Sequence, residues 1–266
     1  MSEAIGLRPG HLAAAVGGGG KTSLLRMLAR ECDGAGWRPV IMTTTTHILA
    51  PEDPEETLLL GDAVSVNDQL DRRSGAWPGP VTLARARDGE VLVGEDPDTA
   101  RMKLRGYAAH EASAFRREGG VLLVEADGSR GLPVKAPGPD EPVIPPDADI
   151  VLGVIGLDAL GAPVDEDHVF RPERLAEVAG LAPGEVISAE ALGRLAAHSD
   201  GLFRRAPESA RRFIILNKSD LIEAMEKLEQ IGYIMSEAAC VPNGPAEAAL
   251  FTSCIHSEPR MVFRVP

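Results

Sequence analysis

A run of glycines followed by lysine and threonine is the part of this 266-residue chain whose residue types most directly suggest chemistry. Residues 13–31 read AAAVGGGGKTSLLRMLARE: an apolar segment, four glycines and an amphipathic pattern. The apolar segment predicts a strand, and the leucines at 24, 25 and 28 predict one face of a helix. Free amides in a glycine turn, together with the helix dipole, stabilise an anion placed between the two elements. The order of strand, turn, Lys21-Thr22 and helix therefore predicts a phosphate-binding loop.

The loop departs at one position from the pattern G-x-x-x-x-G-K-[ST], because Ala15 stands where the first glycine is expected. The glycines that follow still give the backbone access to positive φ angles. We expect Lys21 to neutralise β- and γ-phosphate charge and the Thr22 hydroxyl to complete the shell of a Mg²⁺ ion. The predicted phosphate cradle comprises Gly17, Gly18, Gly19, Gly20, Lys21, Thr22 and Ser23. The alternative interpretation is a flexible structural turn.

A second motif, N-K-x-D, follows the apolar run FIIL and consists of Asn217, Lys218 and Asp220. This is the guanine-binding pattern of GTPases. A carboxylate accepts hydrogen bonds from guanine N1–H and from its exocyclic amine, whereas adenine presents an acceptor at N1. The later run AALFTSC lies where GTPases place a second base-contacting loop. The motif favours GTP over ATP; the alternative is that Asn217 and Asp220 only cap the next helix.

Acidic residues end another predicted buried strand in the segment VLLVEADGSRG. Glu125 stands three residues before Gly128, which matches D-x-x-G spacing with glutamate in place of aspartate. Asp127 lies at the edge of the loop. Either carboxylate could bind Mg²⁺ or position the attacking water beside a phosphate loop. We expect Asp127 to serve as the metal or water ligand, with Glu125 as the second candidate; a plain Asp-Gly turn is the alternative.

Four cations follow in the segments SRGLPVKAP and HVFRPER. Arg130, Lys135, His168 and Arg171 could bind a second, anionic substrate or complete the charge clamp on a transferring phosphoryl group. No spacing rule distinguishes them from surface charges on a rigid loop.

The alternation of apolar strands with helical patterns predicts an α/β fold with a doubly wound, mostly parallel sheet that binds ligands at the carboxyl ends of its strands. We expect a single P-loop NTPase-like domain over residues 1–266, with a small insertion at about 62–96. Within it, Asp88-Gly89 predicts the turn of a hairpin over 81–96. Residues 97–120 predict a helix closed by glycines, and the prolines of 131–146 predict an extended surface segment.

Composition restricts the partners. The net charge is −13 and no Lys/Arg-rich run occurs, so we expect neither nucleic acid nor an anionic membrane surface as a partner. Cys32, Cys240 and Cys254 show no C-x-x-C spacing, which argues against a zinc site and a disulfide framework. No apolar run approaches the ~18 residues of a membrane span, and the N-terminus lacks a signal pattern. These observations predict a cytoplasmic protein.

Taken in order, several segments resemble the YqeC family, whose members are described as selenium-dependent hydroxylase accessory proteins. The segments are VGGGGKTSLL, TTTTHI, VEADGSRGLPVKAP, EPVIP, VIGLDALG and HVFRPE, within residues 10–255. The resemblance implies a P-loop NTPase fold and an association with selenium-dependent molybdenum hydroxylases, whose maturation the family would assist. Its phosphate-loop match lies on 17–22 and its acidic match on 125–128. The chain departs from the family pattern at Asp140 and Phe170, where histidine is frequent.

The sequence thus predicts a Mg²⁺-dependent nucleoside triphosphatase, GTP-preferring, that assists maturation of such a hydroxylase. Lys21, Asp127 and Glu125 are its predicted catalytic residues. One alternative is a P-loop kinase or ligase acting on a small acceptor. Another is a nucleotide-gated scaffold or chaperone without turnover. The client and a homodimer formed around the nucleotide are left open.

Overall fold

A computed structural model describes residues 1–51, 56–73, 77–91, 101–182, 184–242, 244–254 and 259–263, with backbone alone for residue 91 and for 259–263. In these residues the strands are β1 (Leu12–Gly17), β2 (Val40–Thr44), β3 (His47–Leu49), β4 (Thr57–Leu60), β5 (Val81–Ala84), β6 (Ala86–Val91), β7 (Arg101–Arg105), β8 (Val121–Glu125), β9 (Val134–Lys135), β10 (Ile150–Gly156), β11 (Val169–Phe170), β12 (Arg211–Asn217), β13 (Ala248–Thr252) and β14 (Pro259–Phe263). The helices are α1 (Lys21–Gly34), α2 (Ala63–Arg72), α3 (Ala109–Ser113), α4 (Pro172–Ala179), α5 (Ala189–Ala197) and α6 (Met225–Ala239).

The main sheet has the order β14-β13-β12-β10-β1-β8-β2-β5-β4 in the described part of the chain. In this order, every pair of neighbouring strands from β13 to β4 is parallel. β14 pairs with β13 in the antiparallel direction and forms one edge. β1 lies in the middle, between β8 and β10. The expected α/β fold with a mostly parallel, doubly wound sheet is confirmed. Ligands of such folds bind beyond the carboxyl ends of the central strands, which here are β8, β1, β10 and β12.

Two apolar layers cover the two faces of this sheet. On one face, α1 buries Leu24, Leu25 and Leu28 against Ala13 and Ala15 of β1. The small side chains of β1 leave room for these leucines, which is why an alanine-rich strand suits the centre of the sheet. The other face is covered mainly by apolar residues of α2, α4, α5 and α6. Both faces of a parallel strand are thus buried, as its continuous apolar run predicts.

Two expectations outside the main sheet are wrong. The expected helix over 97–120 is a strand, β7, followed by the short helix α3, and its first residues, 97–100, lie outside the described residues. In β7 the sequence RMKLR pairs with β3 and β6, and Leu104 is buried. Pairing with two neighbours outweighs the helical propensity of these residues.

The expected hairpin turn at Asp88-Gly89 is instead a β-bulge inside β6. The pairing of β6 with β7 shifts between Arg87 and Glu90, and Gly89 has φ 88°. β5 and β6 belong to different sheets, so they do not form the hairpin expected over 81–96, whose last residues, 92–96, lie outside the described residues. A glycine with positive φ satisfies a bulge as well as a turn, and the sequence alone does not distinguish them.

The proline-rich segment 131–146 has only the two residues of β9 in regular structure, but the expectation of a surface segment is wrong, because residues 133–138 are all buried. The Pro133 carbonyl accepts from the Gly156 amide, which holds this segment against the end of β10. β9 pairs in parallel with β11 to form a separate two-stranded sheet. None of the described helices is long and apolar enough to cross a membrane.

Candidate functional site

The glycine loop connects β1 to α1 at the carboxyl end of the sheet. Gly17, Gly19 and Gly20 have φ of 88°, 77° and 108°, a region that favours glycine. Gly20 is the N-terminal cap residue of α1, and Lys21 is the first helical residue. Ala15 lies inside β1, paired with Leu152 and Glu125, so the departure from the glycine pattern falls in the strand and leaves the loop unchanged.

The N-terminus of α1 offers backbone donors to an anion. In the described part of the chain, no acceptor within hydrogen-bonding distance takes the amides of Gly20, Lys21, Thr22 or Ser23. These are the amides that an α-helix cannot satisfy internally. Together with the positive end of the helix dipole, they fit the phosphate groups of a nucleotide.

The Lys21 ammonium is buried inside the loop, with 3% of the residue exposed. Its Nζ donates to the carbonyl oxygen of Gly17 at 2.7 Å and to Ser129 Oγ at 3.2 Å. Burial lowers the pKa of this ammonium, and the carboxylates of Glu125 and Asp127 oppose the shift. Neither the Gly17 carbonyl nor the Ser129 hydroxyl carries a negative charge. The buried ammonium is therefore available to pair with a phosphate group bound in the loop.

Glu125 is the carboxylate that contacts the expected metal-binding hydroxyl. Thr22 Oγ1 donates to Glu125 Oε2 at 2.6 Å. β8 lies beside β1 in the sheet, which brings the end of the acidic strand to the first turn of α1. Burial raises the pKa of Glu125, and the Lys21 ammonium opposes this rise. A hydroxyl and a carboxylate side by side in a buried site are oxygen ligands of the type Mg²⁺ prefers.

Asp127 has a different set of partners. Its Oδ2 accepts from the amide of Gly17 at 3.2 Å, and its Oδ1 is paired with the Lys135 ammonium. Burial raises the pKa of Asp127, and Lys135 opposes that rise. Both oxygens therefore already hold the loop in place. These contacts favour Glu125 over Asp127 as the metal ligand, the reverse of the order expected from sequence.

The motif N-K-x-D is joined directly to the glycine loop. Asn217 Nδ2 donates to the carbonyl oxygen of Gly19 at 2.7 Å, and the Cys254 thiol donates to Asn217 Oδ1 at 3.2 Å. The Asn217 amide thus bridges the phosphate loop and the end of β13. Lys218 has φ 64° and pairs with Asp158 at 2.5 Å.

Asp220 is half-buried in a 3-10 turn, Ser219–Leu221, directly after β12. Neither this turn nor α6 has a side-chain hydrogen bond at its cap residue, Lys218 and Ala224 respectively. Asn217 binds the phosphate loop instead. Asn217 is therefore bound to the phosphate loop and is not the cap residue of the following turn or helix.

The four predicted cations do not form one open pocket. The pairing of β9 with β11 places Lys135 beside Phe170, and Arg130, Lys135 and Arg171 lie 4.9, 5.1 and 4.4 Å from the Phe170 ring centroid. Arg130 is exposed. His168 instead contacts Asp165 Oδ1 through Nδ1 at 2.7 Å.

Lys135 and Arg171 are neutralised by carboxylates. Lys135 is 1% exposed and contacts Asp127 as well as Glu141, the latter at 2.6 Å; Arg171 also contacts Glu141 at 2.6 Å. Partial burial acts against ionisation, but hydrogen bonds from Arg171 and Lys135 hold the pKa of Glu141 at about 2. An ionic chain therefore runs from Arg171 through Glu141 and Lys135 to Asp127 and the phosphate loop.

Sequence reasoning missed four residues of this site: Ser129, Glu141, Asp158 and Phe170. Ser129 lies in the segment VEADGSRGLPVKAP, Glu141 in EPVIP and Asp158 in VIGLDALG. Asp158 directly follows the apolar run IVLGVIGL, and an acidic residue at the end of such a run was a usable signal. Phe170 was noted only as a departure from the family pattern, because its contacts depend on β9 and β11 meeting.

The described residues do not include a group of three or more His, Cys, Asp or Glu side chains that could hold a metal ion by themselves. Mg²⁺ in nucleotide sites does not require such a group, because one or two protein oxygens and the phosphates share its shell. Thr22 and Glu125 fit that donor set.

The fold and the loop together define a class, the P-loop NTPase-like α/β proteins with a doubly wound sheet. The model of the YqeC family, described as YqeC protein, matches residues 13–173. The chain is also 34% identical over 207 residues to the uncharacterized protein YqeC of Escherichia coli (strain K12), covering 76% of this chain and 74% of that protein. The chain therefore belongs to the YqeC family. No solved structure matches it significantly.

Proposed function

We propose that the protein is a Mg²⁺-dependent nucleoside triphosphatase that prefers GTP to ATP. The observation that carries the proposal is the hydrogen bond from Asn217 to the Gly19 carbonyl, at 2.7 Å. It joins a base-reading motif to a phosphate loop whose helix-end amides Gly20 to Ser23 have no acceptor among the described residues. Two sequence motifs that lie 198 positions apart are thus in direct contact at the carboxyl ends of β1 and β12.

The phosphate end would work by positioning and charge. Lys21 and the amides of the first turn of α1 would stabilise the charge that develops on the β- and γ-phosphates. Thr22 and Glu125 would hold Mg²⁺, which when bound neutralises phosphate charge. Asp127 would act by fixing the loop, through Gly17 and Lys135, with water positioning as its second role.

At the base end, Asp220 would accept from guanine N1–H and the exocyclic amine. Asn217 would hold the base loop against the phosphate loop, and Lys218 would be oriented by its ion pair with Asp158. The cost of leaving the Asp220 carboxylate facing the acceptor N1 of adenine is the proposed source of selectivity.

The cellular role that we propose is a maturation step on a selenium-dependent molybdenum hydroxylase. This part of the proposal rests on the role implied by the sequence resemblance, in which YqeC proteins are selenium-dependent hydroxylase accessory proteins; the family match supports membership of that family. The cytoplasm is the proposed location, and a homodimer around the nucleotide is a further arrangement to test. The residues of the site do not by themselves specify selenium or molybdenum.

The experiment is calorimetric titration with non-hydrolysable GTP and ATP analogues, with and without Mg²⁺. We expect GTP to bind more tightly, Mg²⁺ to strengthen binding, and Asp220→Asn to remove the preference. The matched control is Asp68→Asn. Asp68 is an exposed aspartate on α2, the helix that follows β4, and β4 is the edge strand on the opposite side of the sheet from β12. Equal binding of GTP and ATP would contradict the guanine assignment, and binding of neither would contradict the nucleotide site.

A second candidate function is a kinase or ligase that transfers a phosphoryl group to a small anionic acceptor. It is favoured by one observation. The Arg130 and Arg171 guanidinium groups both lie on the Phe170 ring, and Arg130 follows Ser129, which contacts Lys21. Release of the nucleoside diphosphate only in the presence of an acceptor would support this function over simple hydrolysis. Nucleotide binding with no turnover under any condition would support a nucleotide-gated scaffold instead.

A further inference from the structure

A short segment, residues 129–133, lies on the phosphate loop and is called the strap below. The Leu132 carbonyl oxygen accepts from the Gly19 amide at 2.9 Å, and Ser129 Oγ accepts from Lys21 Nζ at 3.2 Å. The contact is close: a Cβ placed on Gly18 would lie 2.8 Å from the Leu132 oxygen and 2.9 Å from the Pro133 oxygen. The strap thus occupies one loop amide and the lysine of the loop.

The strap is held in an unusual turn. The Leu132 amide donates to the Ser129 carbonyl at 3.0 Å, and the two central residues, Arg130 and Gly131, have φ of 54° and 81°. Positive φ at both central positions is the pattern of a type I′ turn. This conformation is unfavourable for arginine and readily accessible to glycine. Both residues are exposed, and no heavy atom lies within 4 Å of a Cβ built on Gly131.

The strap is anchored at both ends and carries a cation, Arg130, in its turn. At its start the Gly128 carbonyl accepts from Lys135 Nζ at 2.6 Å. The Pro133 carbonyl accepts from the Gly156 amide at 2.9 Å, and β9 follows at once. The Arg130 guanidinium lies 4.9 Å from the Phe170 ring centroid. Residues 129–132 can therefore leave the loop only if the turn at Arg130 and Gly131 opens between these two anchors, and Arg130 would move with them.

We infer that the strap is a built-in competitor of the nucleotide: the Leu132 carbonyl oxygen takes the place of a phosphate oxygen at the Gly19 amide and must leave when phosphate binds. The inference rests on the proposed function, because it requires a phosphate group in the loop. Apparent affinity then equals the intrinsic affinity multiplied by the fraction of molecules with the strap open. Nucleotide occupancy is thereby communicated to the surface at Arg130 and Phe170.

Hydrogen exchange measured by mass spectrometry tests this on the whole protein, with and without a non-hydrolysable GTP analogue and Mg²⁺. We expect exchange to slow at the amides of residues 20–23 and to become faster at the Leu132 amide. The two opposite signs are diagnostic, because a strap that merely lined the site would be protected along with the loop. Slower or unchanged exchange at Leu132, with the loop protected, would overturn the inference and leave the proposed function standing.

Gly131→Ala tests the same inference by affinity. Alanine at φ 81° strains the closed turn, so the analogue should bind roughly five- to tenfold more tightly. Gly36→Ala is the matched control, since Gly36 has φ 80°, is equally open and lies beyond the opposite end of α1. Its affinity should equal that of the wild type.

Equal affinity of the Gly131→Ala variant and the wild type would overturn the inference about the strap and leave the proposed function standing. No binding by either protein would overturn the proposed function and the strap with it.

Discussion

At the scale of single residues, contacts separate side chains that the sequence treats as equivalent. Glu125 and Asp127 are both acidic, both buried and two positions apart, yet Glu125 contacts the Thr22 hydroxyl while Asp127 is bound by Lys135 and Gly17. Spacing alone could not choose between them, because the choice depends on a lysine eight positions further along the chain. The geometry favours Glu125 for the metal and Asp127 for the architecture of the loop.

Substitution at these two carboxylates should therefore have different effects. Glu125→Gln should weaken the Mg²⁺-dependent part of nucleotide binding by about tenfold or more and leave stability nearly unchanged. Asp127→Asn leaves the buried Lys135 with one carboxylate fewer and should lower the free energy of unfolding by about 3 kcal/mol. Titration calorimetry and urea denaturation measure the two effects. The reverse assignment of effects would restore Asp127 as the metal ligand.

Lys21→Ala should abolish hydrolysis while leaving the fold intact. The ammonium belongs to the loop itself, and its contacts are a carbonyl oxygen and a hydroxyl, so no structural ion pair is lost. Steady-state release of phosphate measures turnover, and circular dichroism checks the fold. Retained turnover in a folded variant would contradict the assignment of the loop.

The Glu141 carboxylate predicts a specific acid sensitivity. Its pKa is lowered from 4.5 to about 2, so the folded state binds its proton less readily than the unfolded state. The stability it contributes is complete above about pH 4.5 and is lost as the pH falls towards 2. In Glu141→Gln this part of the pH dependence should disappear. Unfolding midpoints in urea between pH 3 and 6 measure it; parallel profiles for the two proteins would contradict the prediction.

At the scale of elements, sequence reasoning succeeded where an element is buried on both faces. β8 and β12 contain the continuous apolar runs VLLV and FIIL, and each run was identified together with the chemically distinctive residues that follow it. It failed at β7, whose sequence RMKLR has helical propensity and alternates only weakly. The partners of β7 are β6, the preceding strand, and β3, which lies far earlier in the chain, and the pairing with β3 is not readable from a local window.

Tyr107 and Phe115, on either side of α3, combine an aromatic contact with a hydrogen bond to the turn before α2, and the two interactions should contribute differently to stability. Tyr107 and Phe115 pack edge to face with ring centroids 4.7 Å apart, and Tyr107 Oη donates to the Gly61 carbonyl at 2.9 Å. Tyr107→Phe should cost about 1 kcal/mol of unfolding free energy, and Phe115→Ala about 3–5 kcal/mol. Thermal or urea unfolding measures both. Equal costs would show that the hydrogen bond, not the packing, holds these elements.

At the scale of the whole molecule, strand order makes the site. The sequence predicted the phosphate loop, the acidic strand end and N-K-x-D separately, and each motif is where a parallel sheet would place it. Their meeting follows from the neighbouring positions of β8, β1, β10 and β12. What could not be predicted is the loop packing above the sheet: the two-stranded sheet β9–β11 and the strap depend on contacts between irregular segments.

Because the proposed ligand joins elements from both halves of the chain, binding should stabilise the molecule as a whole. At one hundred times its dissociation constant, a ligand of the native state adds about 2.7 kcal/mol to the free energy of unfolding. For a chain of this size, this corresponds to a rise of roughly 5–10 °C in Tm. Differential scanning fluorimetry with GTP and Mg²⁺ measures it. Inorganic phosphate at equal ionic strength is the control, and an equal rise with it would contradict nucleotide binding.

The four consecutive glycines have a consequence for how freely this sequence can vary. Gly19 lies against the backbone of Gly156, and Gly17 against the backbone of Val154, so that a Cβ at either position would overlap main-chain atoms. At Gly20 the nearest obstacle is the Asn217 side chain. The four glycines are therefore not interchangeable, because two of them pack directly against the backbone of β10. In a library randomised over residues 17–20 and selected for folding alone, positions 17 and 19 would return almost only glycine.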